Sequence, residues 1–427
     1  MSTDRPNTPV KVDRDRLQQD FDALSSITEP GKPWTRRSFT PMFLKGREYL
    51  AQRFAEEGLS VRIDVAGNLI GRWPGSNADA PVLMTGSHSD TVPSGGRFDG
   101  IAVVLSGLAA VRALRLSGHR PVQSIEVVDF LAEEPSEWGL SCIGSRGMSG
   151  ALTPKHFAMT GPDGERLDAA ITRVGGRPEQ IARNVRSDVG AFVEIHIEQG
   201  PVLEAEEIPL AIVSGIAGIA RVRLRLEGEA GHAGTVPMSM RADAGIAMAR
   251  LMLALRDAAT VEADKGRGHF TATIGVMRLE PNGSNVVPGA AEIIVDIRAE
   301  NDAAMDQYLD AVNALADAAA AAEGCRVAAT ERLSRTFAVA CDARLRARIG
   351  EAADVHGLQT RSLASGAGHD AAFVARIAPA AMIFVPSRGG ISHAPEEWTD
   401  TEAIARAGDV LALTLATLDQ RPLATTE

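Results

Sequence analysis

The sequence predicts an α/β fold: a main domain on a parallel-type sheet, interrupted by an inserted α+β domain of ferredoxin-like order. Two observations carry this. Between Pro81 and Ala132 an apolar strand run, a helical repeat and a second apolar run follow one another, the rhythm of a parallel sheet. From about Ser214 the order becomes β-α-β-β-α-β, a complete supersecondary unit. The domains are therefore expected as 1–213 and 334–427 for the main part and 214–333 for the insertion.

Each element has its own signal. Leu17, Phe21 and Leu24 mark one face of a first helix; Thr40-Pro41 reads as N-cap and first position of a second, with Gly58 as its stop. Leu59 to Val65 and Leu69 to Trp73 read as strands joined at Ala66-Gly67-Asn68. The apolar strand Pro81 to Thr85 runs into His88-Ser89-Asp90 and the glycine-rich Gly95-Gly96-Arg97-Phe98-Asp99-Gly100, after which Ile101 to Leu116 repeats at helical spacing. A further apolar strand, Ser124 to Ala132, ends in Glu133-Glu134. From Ala191 to Gln199 the residues alternate, with Val193, Ile195 and Ile197 on one face and Glu194, His196 and Glu198 on a polar one.

In the insertion Val222, Leu224 and Leu226 alternate with Arg221, Arg223 and Arg225. Helices are predicted near Met240 to Ala258 and Ala303 to Ala322, and strands near Phe270 to Leu279, Ala291 to Arg298 and Cys325 to Leu333. The main domain resumes with a helix from Ala343 to His356, a glycine-rich loop Ser365 to Asp370 and a strand Ala381 to Val385. Thr399 is the predicted N-cap of a last helix reaching Leu418.

Composition narrows the function. At 427 residues, with 45% hydrophobic and 23% charged residues and no long uncharged apolar run, the chain is of soluble globular type, not membrane-spanning. Met1 to Asp13 lacks the basic-then-apolar order of a secretory signal, so a cytoplasmic location is expected. A net charge of -11 without a basic tract argues against nucleic acid as a partner. Cys142, Cys325 and Cys341 are too few and too scattered for a zinc knuckle or a disulfide framework. Any metal must be held by histidine and carboxylate.

Such a set is present. His88 stands at the carboxyl end of a buried strand, the edge where open α/β sheets bind ligands. Alone it reads equally as a loop histidine, Glu133-Glu134 as a solvated loop start, and His196 as a structural histidine. Taken together, His88, Asp99, Glu134, His196 and His393 all lie at or just beyond predicted strand ends of one domain. That is enough for two divalent metals sharing a bridging carboxylate.

The motifs H-S-D-T-V, G-G-R-F-D-G, A-E-E, E-I-H-I-E-Q-G-P-V-L-E, G-H-A-G-T-V-P-M, S-N-V-V-P, D-I-R and S-H-A-P-E-E occur here in that order. The chain thereby resembles the N-carbamoyl-L-amino acid hydrolase and allantoate amidohydrolase family, relatives of the binuclear-zinc aminopeptidases and aminoacylases. The resemblance runs from about Leu17 to Leu418 and implies a zinc-aminopeptidase-like catalytic domain with an inserted lid and dimerisation domain. By it, His88 and His196 serve one metal, Glu134 and His393 the other, and Asp99 bridges them. Asp90 holds His88 in its tautomer, and Glu133 is the general base. His232 is implied as the oxyanion donor, with Gln199, Asn285 and Arg298 binding the substrate and the Arg298 guanidinium gripping its carboxylate.

Two divalent ions are implied, with zinc foremost and manganese, cobalt or nickel compatible with the same ligands. The implied partner is a small carboxylate-bearing ureido compound, and the implied assembly a homodimer through the insertion, so that His232 and Asn285 could act within one chain or across two. Allantoate or β-ureidopropionate hydrolysis is the nearest alternative; an aminoacylase or peptidase, or a non-catalytic binding protein, is more distant. His369 reads as pocket structure or as support for a ligand rather than a ligand itself, and His119, His156, His269 and His356 as packing or surface residues. Where many members carry Gly-Ser-Arg-Phe after the paired glutamates, this chain has Pro135-Ser136-Glu137-Trp138, placing an acid near the metals.

Overall fold

The computed structural model describes residues 10–423; residues 1–9, which hold most of the polar start read above, and 424–427 lie outside them. The described chain forms two compact units. The first takes the residues up to Ser214, Cys341–Leu363 and those from His369 on; the second is Gly215–Ala340 with Ala364–Gly368.

The first unit opens with helix Arg14–Ser26, which buries Leu17, Phe21 and Leu24, and helix Pro41–Glu56, capped by the Thr40 hydroxyl on the Phe43 N–H. Strands β1 (Ser60–Ile63), β2 (Leu69–Trp73), β3 (Val82–His88), β4 (Ile125–Phe130), β5 (Val189–Ile197) and β6 (Leu210–Ile216) follow, with helix Ile101–Leu116 between β3 and β4. In the inserted unit come β7 (Gly218–Glu227), β8 (Gly231–His232), β9 (Phe270–Glu280), β10 (Val286–Val287), β11 (Ala290–Ala299), β12 (Arg326–Arg335) and β13 (Val339–Ala340). The chain then returns through helix Ala343–Val355, β14 (Thr360–Ser365), β15 (Ala380–Val385) and helix Thr401–Gln420.

In the first unit the strand order is β1-β2-β4-β3-β5-β15-β6. The central four, β4, β3, β5 and β15, are parallel, so their carboxyl ends share one edge. That edge receives His88, the loop after Phe130, the end of β5 and the loop after Val385. Residues of β3, β4 and β15 are buried throughout, as a sheet covered on both faces requires. Strand β5 departs from the expected polar face: Glu194 and His196 are as buried as Val193 and Ile195, because the face read as polar lies inside the protein.

The inserted unit is an antiparallel sheet, β12-β7-β11-β9, with helices Ala244–Asp264 and Asp302–Ala321 packed on one face. Val222, Leu224 and Leu226 meet Ile293, Val295, Leu251, Leu255 and Tyr308 in its core. On the other face the arginines find acids across the sheet, Arg221 with Asp296 on the adjacent β11 (2.9 Å) and Arg225 with Glu280 on β9, one strand further (2.7 Å).

Boundaries move where side chains compete for caps. The final helix starts at Thr401, not after Thr399; the Thr399 hydroxyl instead donates to the Pro386 carbonyl (3.1 Å). The helix expected from Met240 starts at Ala244, because Asp243 accepts from the Gly245 and Ile246 N–H groups. Strands β6 and β14 have no clear alternation in sequence and were not predicted.

The last helix is tied down by Asp419, whose buried carboxylate accepts from the Val122 (2.9 Å) and Gln123 (2.7 Å) N–H groups and pairs with His119 Nε2 (3.1 Å). Burial pushes its pKa up, but these bonds, led by the one to His119, outweigh it and hold the group below the ordinary aspartate value. A lowered folded pKa contributes stability that is present above the unfolded value and lost as pH falls through the folded one. Asp419→Ala is accordingly expected to cost about 2–3 kcal/mol in urea unfolding at pH 7. The gap between variant and parent should narrow below about pH 4.

Candidate active site

Local geometry explains how the four parallel strand ends become a site. His88 closes β3, and the loop that follows returns through Gly100, whose φ is +65° and where a Cβ would lie 2.4 Å from the His88 ring. Only glycine fits there, and its neighbour Asp99 is thereby brought over His88. Beyond β4 the chain turns at Ala132 (φ +52°) into Glu133 and Glu134, both nearly buried.

Asp99 is central. Its Oδ1 lies 3.2 Å from His196 Nε2 and 4.0 Å from His88 Nε2; its Oδ2 lies 3.1 Å from His393 Nε2. His393 Nε2 is also 3.3 Å from Glu134 Oε1. The one carboxylate thus faces two separate groups, His88 with His196 on one side and His393 with Glu134 on the other. In each group the donor atoms lie within 4.8 Å of one another. Ligand atoms about 2.0–2.2 Å from an ion at tetrahedral angles stand about 3.4 Å apart, so the donor set fits a divalent cation on each side.

The charges agree. Among the described residues the ion-pair partners of Asp99, Glu133 and Glu134 are imidazoles, with neither lysine nor arginine among them. Burial, then Asp99, raises the Glu134 pKa to about 7, and burial with the surrounding acids pushes Glu133 well above its usual range. Against burial, His196 and His393 hold Asp99 well below the carboxylate range. His393 is raised to about 9 by Asp99. Crowded buried acids whose ion-pair partners among the described residues are imidazoles form a site built for positive charge.

Supporting contacts orient these groups. His196 Nδ1 lies 2.9 Å from the Ile197 carbonyl and His88 Nδ1 2.9 Å from the Asp90 carbonyl, which leaves each Nε2 for the site. The Asp90 side chain is 3.5 Å from His88 Nδ1 and accepts instead from the Glu133 (3.2 Å) and Glu134 (3.3 Å) N–H groups. Asp90 therefore holds His88 chiefly by its backbone and the glutamate loop by its carboxylate. Glu133 Oε2 lies 3.6 Å from His88 Nε2, and the buried Cys142 thiol donates to Glu133 Oε1 (3.6 Å).

Gln199, read as a substrate contact, donates through Nε2 to Asp99 Oδ2 (3.0 Å). His369 packs its ring 4.4 Å from that of His196, and Glu194, His196 and His369 form a third group able to hold a cation. Cys142 carries no spacing signal of its own, and only its buried place beside Glu133 reveals it. His119 pairs with Asp419, and the His156 ring caps its own short helix at Thr153.

In the inserted unit His232 and Asn285 are neighbours: β8 pairs with β10, and the Ala233 N–H donates to the Asn285 carbonyl (2.9 Å). His232 Nδ1 accepts from the Gly234 N–H (3.1 Å), so the neutral ring carries its proton on Nε2. Arg298 donates to Asp296 Oδ1 (2.8 Å) and to the Gly366 carbonyl (2.7 Å).

The Pro135–Trp138 departure does not leave an unpaired acid. Arg37 pairs with Glu137 (2.7 Å) and donates to the Pro135 carbonyl, while Trp138 packs edge-on to Phe39 and donates to the Glu165 carbonyl.

Residues 84–417 match the model of peptidase family M20/M25/M40. An N-carbamoyl-L-amino acid amidohydrolase of Geobacillus stearothermophilus is 36% identical over 412 residues, 96% of this chain and 99% of that one. A ureidoglycolate hydrolase of Oryza sativa subsp. japonica is 35% identical over 420 residues, 96% and 86% of the two chains. The crystal structure of a hydantoinase/carbamoylase family amidase from Burkholderia multivorans superposes with a TM-score of 0.90 at 32% identity, covering 97% of this chain and 100% of that one. No helix among the described residues is long and apolar enough to cross a membrane.

Proposed function

This chain belongs to peptidase family M20/M25/M40, and we propose that within it the protein hydrolyses the ureido C–N bond of N-carbamoyl-L-amino acids with the help of two divalent cations. The coarser statement, an amide-bond hydrolase, follows from the family and its relatives. The observation that supports two cations is the division of the Asp99 carboxylate between two imidazole-bearing groups with Glu133 beside them; the choice of a ureido substrate rests on the E-Q-G-P-V-L-E, S-N-V-V-P and D-I-R motifs and on the relatives that carry ureido-hydrolase names.

His88, His196 and Asp99 would hold one cation, and Asp99, Glu134 and His393 the other. Two such ions, zinc foremost and manganese, cobalt or nickel by the same donors, supply charge that acidifies water and polarises a carbonyl. Glu133 takes the proton of the attacking water on its carboxylate and passes it to the departing nitrogen. The water oxygen bonds to the ureido carbon, the bond to the amino-acid nitrogen breaks, and the carbamate falls apart into ammonia and carbon dioxide. From the inserted unit, of the same chain or of a second copy in a homodimer, His232 donates Nε2–H to the oxyanion. Asn285 and Arg298 bind the substrate, Arg298 through its carboxylate. Gln199 orients Asp99.

A second reading is ureidoglycolate as substrate, favoured by the near-equal identities of the two relatives, 35% and 36%. It was not foreseen from the motifs. Allantoate and β-ureidopropionate need the same attack and the same carboxylate grip. The deciding experiment is ammonia release by metal-loaded protein across N-carbamoyl-L- and D-amino acids, ureidoglycolate, allantoate and β-ureidopropionate, with N-acetyl amino acids and dipeptides followed by amine release. Preference for N-carbamoyl-L-amino acids is expected; cleavage of only acetyl or peptide substrates would move the protein to the aminoacylase or peptidase branch.

A further inference from the structure

We infer that Glu397 is a positioning residue for the metal centre, clamping the loop that carries Asp99 to the loop that carries His393. The inference rests on the two-cation reading above. Glu397 follows His393 by four positions and is 2% exposed. Its Oε1 accepts from the backbone N–H groups of Phe98 (2.8 Å) and Asp99 (3.0 Å), and its Oε2 from the Ser392 hydroxyl (2.8 Å).

The circuit closes on itself. Ser392 Oγ accepts from Gln199 Nε2 (3.3 Å), and the same amide donates to Asp99 Oδ2 (3.0 Å). Asp99 is thus held at its backbone by Glu397 and at its carboxylate by Gln199, with Ser392 joining the two. Space is reserved for the clamp as well. A Cβ on Gly96 would lie 1.9 Å from the Glu397 carboxylate carbon. His393 needs such support, since it sits at φ +55°, a conformation that side-chain-bearing residues rarely adopt. A buried carboxylate is costly unless fully hydrogen-bonded, and here three donors from two ligand-bearing loops satisfy it.

Removing a group that orients metal ligands typically weakens metal binding about 10–100-fold. Because Glu397 joins Asp99 to His393, the effect should fall on the ion that these two share with Glu134. The test measures metal per chain, metal release to a chelator and the melting temperature of the metal-free protein. The parent should hold two equivalents. Glu397→Ala should keep one tightly and hold the second about 10–100-fold more weakly. Glu397→Gln should recover most of the loss, since its oxygen still accepts both N–H groups and its amide can donate to Ser392. Gly96→Ala, which crowds the carboxylate out, should reproduce the alanine result and carries the test if Glu397→Ala does not fold.

Release of both equivalents at the parent's rate from Glu397→Ala and Gly96→Ala would overturn the inference. So would loss of both ions together with a fall in metal-free melting temperature, the signature of a structural role alone. A parent that holds a single equivalent overturns the two-cation reading itself, and the assignment of Glu397 with it.

Discussion

Glu133→Gln is expected to lower kcat on the ureido substrate by about 10²–10⁴-fold while leaving metal content unchanged. The side chain lies beside His88 and the Cys142 thiol but is not in the groups that could hold a cation. Glutamine keeps its size and can still accept from Cys142, yet it cannot take a proton from water. In the metal-free protein, burial and the neighbouring acids raise the Glu133 pKa. Metal analysis with single-turnover kinetics checks both halves. A variant that turns over at more than a tenth of the parent rate would remove Glu133 from this role.

Asp99→Ala is expected to lose both cations together and to reduce turnover by about 10³-fold or more, the scale of several kcal/mol of lost charge stabilisation. The reason is geometric, because Oδ1 and Oδ2 face different groups. His393→Ala should remove one ion only, since His88, His196 and Asp99 Oδ1 remain. Atomic emission on the two variants reads the contrast directly. Equal loss in both would mean that Asp99 does not bridge.

Much of this was legible in the chain itself. The strand ends that bring His88, Glu134, His196 and His393 together follow from apolar runs bounded by glycine and acid, which local periodicity reports well. The inserted unit was legible for the same reason: Val222, Leu224 and Leu226 alternate against their arginines over a full strand. Less visible was burial. Glu194 and His196 read as a polar face, and alternation distinguishes two sides of a strand without saying which is covered. Glu397 was hidden inside a motif whose histidine drew attention, and its partners Phe98 and Asp99 lie nearly 300 positions away. No local pattern records such a contact. Nor could the sequence show that Asp90 would grip the glutamate loop with its carboxylate while serving His88 through its carbonyl.

The most direct test of the two-cation ureido hydrolysis proposed for this chain is a titration. Metal-free protein receives zinc or manganese in steps while bound metal and ammonia release from an N-carbamoyl-L-amino acid are followed together. Turnover should be absent at the start, should rise with added metal and should reach its maximum at two equivalents per chain. Undiminished ammonia release from protein shown to be metal-free, or no release at two bound equivalents with any ureido substrate of the panel, would contradict the account.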